Sequence, residues 1–186
     1  MNTLKQRIQW ALTKPVCEFK PTPELSVAKQ KKQQQDEEKK WGNLMINQVN
    51  NGQWTTLLGE NLVYDVLKVL GENPRKPQKK NGFLPDWETD NFMYEVKTSN
   101  WCVSGTAGEK VLGTFIKYQD IPELYGKPLK IVCVAYQEHE LTHGKTKYFG
   151  NEVSHKTKQI LDLARSWNIT YVPFSELVNN QHFHSL

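Results

Sequence analysis

The sequence predicts an α/β (α+β) domain with a mixed central sheet flanked by helices. Three observations carry this. Leu58, Leu62, Val66 and Val69 recur at helical spacing. Two short strand-like runs flank Thr89-Asp90-Asn91, a turn signal that predicts a β-hairpin over 83–100. Beyond it, apolar β-branched runs alternate with helical patterns, the order expected of a layered α/β chain.

Taken in order, residues 1–23 mix short apolar patches with Pro15, Pro21 and Pro23, which predicts a short helix and then an irregular segment. Residues 24–40 are rich in helix formers and nearly free of apolar side chains, so they read as a solvated helix or a mobile arm. The helix from Thr55 stops at Gly71, a residue suited to the left-handed position after a helix end. Residues 74–82 form a basic loop. Thr106 to Glu109 resembles a capping box opening a helix to about Tyr118. Leu129 to Tyr136 is a continuous apolar run, as in a strand covered on both faces. Residues 153–167 predict an amphipathic helix, 169–174 another strand, and Ser175 a cap for a short last helix.

Composition narrows the function classes. The chain has 186 residues, 38% of them hydrophobic, enough for one ordinary domain. No apolar run reaches the roughly 20 residues that span a bilayer, so no membrane role is expected. The first residues lack the apolar core of a secretion signal, and three cysteines without CxxC spacing argue against a disulfide framework. A reducing, cytoplasmic setting is therefore expected. The net charge of +4 permits a polyanionic partner without demanding one.

The hairpin carries the chemistry. Pairing outward from Asp90-Asn91 sets Glu88 against Met93, Trp87 against Tyr94 and Asp86 against Glu95. Side chains alternate faces along a strand. One face then holds Trp87, Phe92, Tyr94 and Val96, and the other Asp86, Glu88, Glu95 and Lys97. Two carboxylates opposed across a ladder, with Cβ atoms about 4.5–5.5 Å apart, repel unless a cation or proton lies between them. Mg²⁺ suits such a place, since it typically takes one or two carboxylates and completes its shell with water and phosphate. Lys97, on the same face as Glu95, could orient a water or stabilise a crowded phosphate.

Pro85-Asp86, eight residues, then Glu95-Val96-Lys97 resembles the PD-(D/E)XK nuclease superfamily. The stretch from about 41 to 175 looks most like type II restriction endonucleases, including those encoded by large DNA viruses. The resemblance implies a restriction-endonuclease-like core over residues 41–186; residues 1–40 have no counterpart in it and read from composition as a polar N-terminal arm or helices. It implies a Mg²⁺-dependent enzyme (Mn²⁺ substituting) that cuts double-stranded DNA as a homodimer, with no small-molecule cofactor. A virus-infected host cell is one setting for it. Asp86, Glu95 and the Val96 carbonyl would be metal ligands, Lys97 the catalytic lysine, and Glu60 an accessory acid on the preceding helix.

Candidate DNA contacts are Arg75, Lys76, Lys79 and Lys80 in the basic loop, Thr98, Ser99, Asn100, Ser104 and Thr106 after the motif, and Gln137 past the buried strand. Asn43, Asn47, Gln48, Asn50, Asn51 and Gln53 could read adenine or form a polar linker. With only three arginines, bidentate contacts to guanine would be few. The alternatives are a repair or junction-resolving nuclease on the same core, and a DNA-binding module that does not cut. A third is a zinc metalloprotease built on His139-Glu140-Leu-Thr-His143. That motif needs both histidines on one helix and a third ligand, for which Glu152 and Asp162 are candidates. Here it reads instead as a strand extension turning at His143-Gly144.

Overall fold

A computed structural model describes residues 3–13, 24–102 and 111–179 of the chain. Its centre is a four-stranded mixed sheet in the order β1-β2-β3-β4, flanked by helices. The strands are β1 (Trp87–Glu88), β2 (Met93–Ser99), β3 (Leu129–Ala135) and β4 (Ile169–Pro173). β1 pairs antiparallel with β2, while β2–β3 and β3–β4 are parallel. The hairpin register is the one the turn dictates, with Trp87 opposite Tyr94 and Glu88 opposite Met93.

Strand alternation divides the core in two. Tyr94, Val96, Val132, Val134 and Val172 face one layer. It contains helices α1 (Thr3–Leu12), α3 (Trp54–Val69) and α8 (Phe174–Val178). Met93, Leu129, Ile131, Cys133 and Ile169 face the other. There α4 (Thr114–Lys117), α5 (Ile121–Tyr125), α6 (Tyr136–His143) and α7 (His155–Ser166) supply the cover. No helix among the described residues is long and apolar enough to cross a membrane.

The N-terminal segment is built into the first layer. Helix α2 (Val27–Met45) runs straight through the expected boundary at residue 40. Its Glu38 is fully buried, its carboxylate accepting from Trp10 Nε1 at 3.1 Å and from the backbone N–H groups of Trp101 at 2.8 Å and Cys102 at 2.9 Å. Trp10 is likewise sealed in the core. The expected solvated helix is present and mostly exposed, and it is docked at Glu38, whose one carboxylate satisfies three donors from two distant segments. Two glycines make the packing possible. A Cβ on Gly42 would lie 2.0 Å from the Trp54 ring, and one on Gly59 1.7 Å from Thr98 Oγ1, so α2, α3 and β2 meet at backbone distance.

Two further expectations are corrected. Residues 136–143 continue β3 as helix α6, with no loop between them. Ala135 makes the turn at φ 58°, ψ −129°, a conformation normally left to glycine, so no Gly, Pro or Asn marks it. The last helix is not capped by the Ser175 side chain; instead Glu138 of α6 accepts from the Ser175 N–H at 3.0 Å. The predicted capping box at 106–109 lies outside the described residues.

Candidate functional site

The site forms where β1 ends and β2 continues. Regular pairing stops at Trp87, and the next residue back, Asp86, reaches β2 through its side chain: Oδ2 accepts the Val96 N–H at 2.7 Å. The Met93 N–H points the other way, to the Pro128 carbonyl at 2.9 Å. Even-numbered residues of β2 therefore direct their backbone groups toward β1. The N–H and C=O of one residue leave a strand on the same side, so the Val96 carbonyl also points to the Asp86 edge.

Glu95 projects from the opposite face of β2 from Val96 and is only 4% exposed. One of its oxygens, Oε1, receives the Lys97 ammonium at 2.5 Å, and the other, Oε2, is buried without a hydrogen-bond partner. Burial first, and then the charge of Glu95, push the Asp86 carboxyl up to about 7; Glu60 adds to the rise, while the Val96 N–H and Lys97 oppose it. The cluster is thus too negative for its degree of burial, the condition under which carboxylates take up a proton or a cation.

Glu60 reaches this cluster from α3. Its own partner is Lys76, at 3.3 Å, and its backbone carbonyl accepts the Trp87 indole N–H at 2.9 Å. Tyr118, at the end of α4, completes the wall. Lys97 Nζ stands 5.8 Å from the centre of its ring, and burial, then the charge of Glu95 and the contact of the hydroxyl with that carboxylate, then Asp86, push the hydroxyl far above its ordinary range. Sequence reasoning did not single out Tyr118, because no local pattern ties it to a strand some twenty residues earlier.

Comparison with protein-family models, curated proteins and solved structures returns no match for this chain.

The remaining candidates fall in several places. Arg75 is bound to Asp90 at 2.9 Å and to Glu88 at 3.0 Å, pinning the basic loop to the hairpin. Lys76 lies 4.0 Å over the Trp87 ring as well as against Glu60, and Lys80 donates to the Leu124 carbonyl at 2.9 Å. Lys79 is exposed. Glu88, on the motif face by alternation, pairs with Lys127 at 2.5 Å and stays outside the cluster. Thr98 points away from Glu95 and packs on Gly59, whereas Ser99 shares the Glu95 face and pairs with Ala135. Asn100 Nδ2 reaches Glu38 at 3.4 Å. Gln137 is buried at the start of α6, its Nε2 without a partner. Ser104 and Thr106 lie outside the described residues. Asn43 is a clamp, accepting from the Asn51 N–H at 2.6 Å and donating to the Lys39 carbonyl at 2.9 Å.

The HELTH histidines do lie one turn apart on a helix, α6, contrary to the strand expected there. The expected third ligands are taken: Glu152 pairs with Lys147 and Asp162 with Arg165. Among the described residues no three His, Cys, Asp or Glu side chains come together to hold a metal. A metalloprotease centre needs three protein ligands on its zinc.

Proposed function

We propose that the chain is a Mg²⁺-dependent endonuclease of restriction type with a PD-(D/E)XK core, hydrolysing phosphodiester bonds in double-stranded DNA. The observation that carries this reading is the conflict between Glu95, buried and with an orphaned oxygen, and Asp86, half-buried, beside one lysine. A structural salt bridge would have its acceptors satisfied; this cluster is one positive charge short.

The donors fit a hard divalent cation. They are all oxygen: the Asp86 and Glu95 carboxylates and the Val96 carbonyl on the same edge. Two carboxylates and a carbonyl, rather than a cage of three side chains, suit an ion whose shell is completed by water and substrate phosphate. When bound, Mg²⁺ supplies charge neutralisation for the phosphate and lowers the pKa of a coordinated water. Lys97, about a third exposed and steadied by Glu95, donates to a phosphate oxygen or positions the attacking water. Asp86, anchored by the Val96 N–H, holds its carboxylate toward the same point. Glu60 adds negative charge from α3.

DNA is then read with little help from arginine. Arg7 is paired with Asp65, Arg75 with Glu88 and Asp90, and Arg165 with Asp162. Sequence discrimination falls to Lys, Asn, Gln, Ser and Thr or to DNA shape. Cutting both strands of a symmetric sequence calls for two sites, hence a homodimer. The test is digestion of unmethylated phage DNA with Mg²⁺, followed by sequencing of the ends. Discrete ends are expected from the wild type. Asp86→Ala and Lys97→Ala should each lose at least about 100-fold in cleavage, as expected when an electrostatic group of the transition state is removed, while keeping DNA binding. Undiminished cutting by both variants would falsify the site.

A further inference from the structure

We propose that α6 carries a transition-metal site of its own, in which His139 and His143 chelate one divalent ion of the zinc, nickel or copper class. The nuclease reading plays no part in it. The two residues are four apart on one helix, their ring centroids are 4.8 Å apart, and both are exposed. Imidazole nitrogens bind zinc at about 2.0–2.1 Å, so two rings this close meet one ion after small side-chain rotations.

One ring of the pair is packed in place. His139 stacks on Tyr136 at 5.8 Å and packs against Trp101 at 5.4 Å, which restricts one ring before any ion arrives. The helix closes directly after His143, with the Gly144 N–H bonded to the Glu140 carbonyl at 2.7 Å. His143 therefore sits in the last turn, where the helix dipole favours a cation. With no third side chain joining among the described residues, the protein fills two positions and water the rest. Nitrogen donors select the zinc, nickel and copper class over Mg²⁺, so this site and the carboxylate cluster would sort ions by chemistry.

The experiment is calorimetric titration of the full chain, free of any histidine tag, with zinc chloride near neutral pH. One ion per chain is expected, with a rise of a few degrees in the unfolding temperature. His139→Ala and His143→Ala should each weaken binding about tenfold or more, the loss expected when a metal's support is removed. The double variant should abolish it. The other close histidine pair of the sequence, His182 and His184, serves as the control, and His182→Ala/His184→Ala should bind zinc as the wild type does. Both α6 histidines are exposed, and circular dichroism checks that their variants stay folded. Absence of zinc binding overturns the proposal. So does equal affinity in the double variant and the wild type, or a loss that follows His182 and His184 alone.

Discussion

Glu38 on α2 and Glu95 on β2 are both almost sealed from water, yet their surroundings differ donor by donor. Glu38 Oε1 accepts from Trp10 and from the Trp101 N–H; Oε2 accepts from the Cys102 N–H and from Asn100. Glu95 has one cation on Oε1, no hydrogen bond on Oε2, the Tyr118 hydroxyl beside it, and a second carboxylate nearby. A buried charge is tolerated when its lone pairs are used, and is costly when they are not. The first carboxylate therefore reads as a fastener and the second as half of a binding site. Burial alone would not have separated them.

The largest effect that tests this contrast is at Glu38. Glu38→Ala leaves three buried N–H donors unpaired, each costing about 1–3 kcal/mol. A loss of about 3–9 kcal/mol in urea unfolding is expected, with cleavage per folded molecule unchanged. Glu38→Gln, which keeps an acceptor, should cost less. A loss under about 1 kcal/mol in Glu38→Ala, a surface-like value, would mean that the helix does not depend on its buried carboxylate.

At Asp86 the sign reverses. Its carboxyl is raised to about 7 in the folded chain against an ordinary 3.8. Between those values the folded state holds more protons than the unfolded state, so this group makes stability fall as pH rises. Asp86→Asn removes that penalty while keeping an acceptor for the Val96 N–H. Without divalent cation the variant should be more stable than the wild type above pH 7, by up to about 4 kcal/mol at 1.36 kcal/mol per unit. The two should converge below about pH 4. Added Mg²⁺ should raise the unfolding temperature of the wild type by a few degrees and leave Asp86→Asn unmoved. A variant less stable than the wild type at pH 8 would place Asp86 with Glu38 among the fasteners.

The sequence made one of these two carboxylates visible and hid the other. The turn at Asp90-Asn91 and the alternation on either side of it were enough to set Glu88 against Met93 and Trp87 against Tyr94, because a hairpin is a local structure; the ladder ends there, and Asp86 comes beside Glu95 by accepting the Val96 N–H rather than as its ladder partner. Glu38 was read as solvated because its neighbours on α2 are polar. Its donors come from Trp10, Asn100, Trp101 and Cys102, all far from it along the chain, and no periodicity reports such pairings. The β3–α6 turn failed for a different reason: Ala135 adopts a glycine-like conformation, so the signal that marks such turns is missing. Arg75 and Lys80 looked like phosphate ligands from composition, but Asp90, Glu88 and the Leu124 carbonyl engage them.

Glu60 stands between the two classes and gives the smallest and most discriminating effect. It has a cation of its own in Lys76, as a structural acid would, yet its charge is among those that raise Asp86. Glu60→Gln removes one repulsion and leaves burial and Glu95, the two larger causes, in place. Stability at pH 8 without divalent cation should rise by less than about 1 kcal/mol, the scale of a partly exposed ion pair. The pH at which the advantage of Asp86→Asn over Asp86 stops growing should move down by a fraction of a unit in the Glu60→Gln background, while its onset at about pH 4 stays in place. The Mg²⁺-dependent rise in unfolding temperature should survive. Loss of that rise would make Glu60 a direct ligand and extend the binding cluster onto α3. An unmoved pH profile would assign Glu60 to Lys76 alone, leaving Asp86 and Glu95 as the whole of the charge conflict.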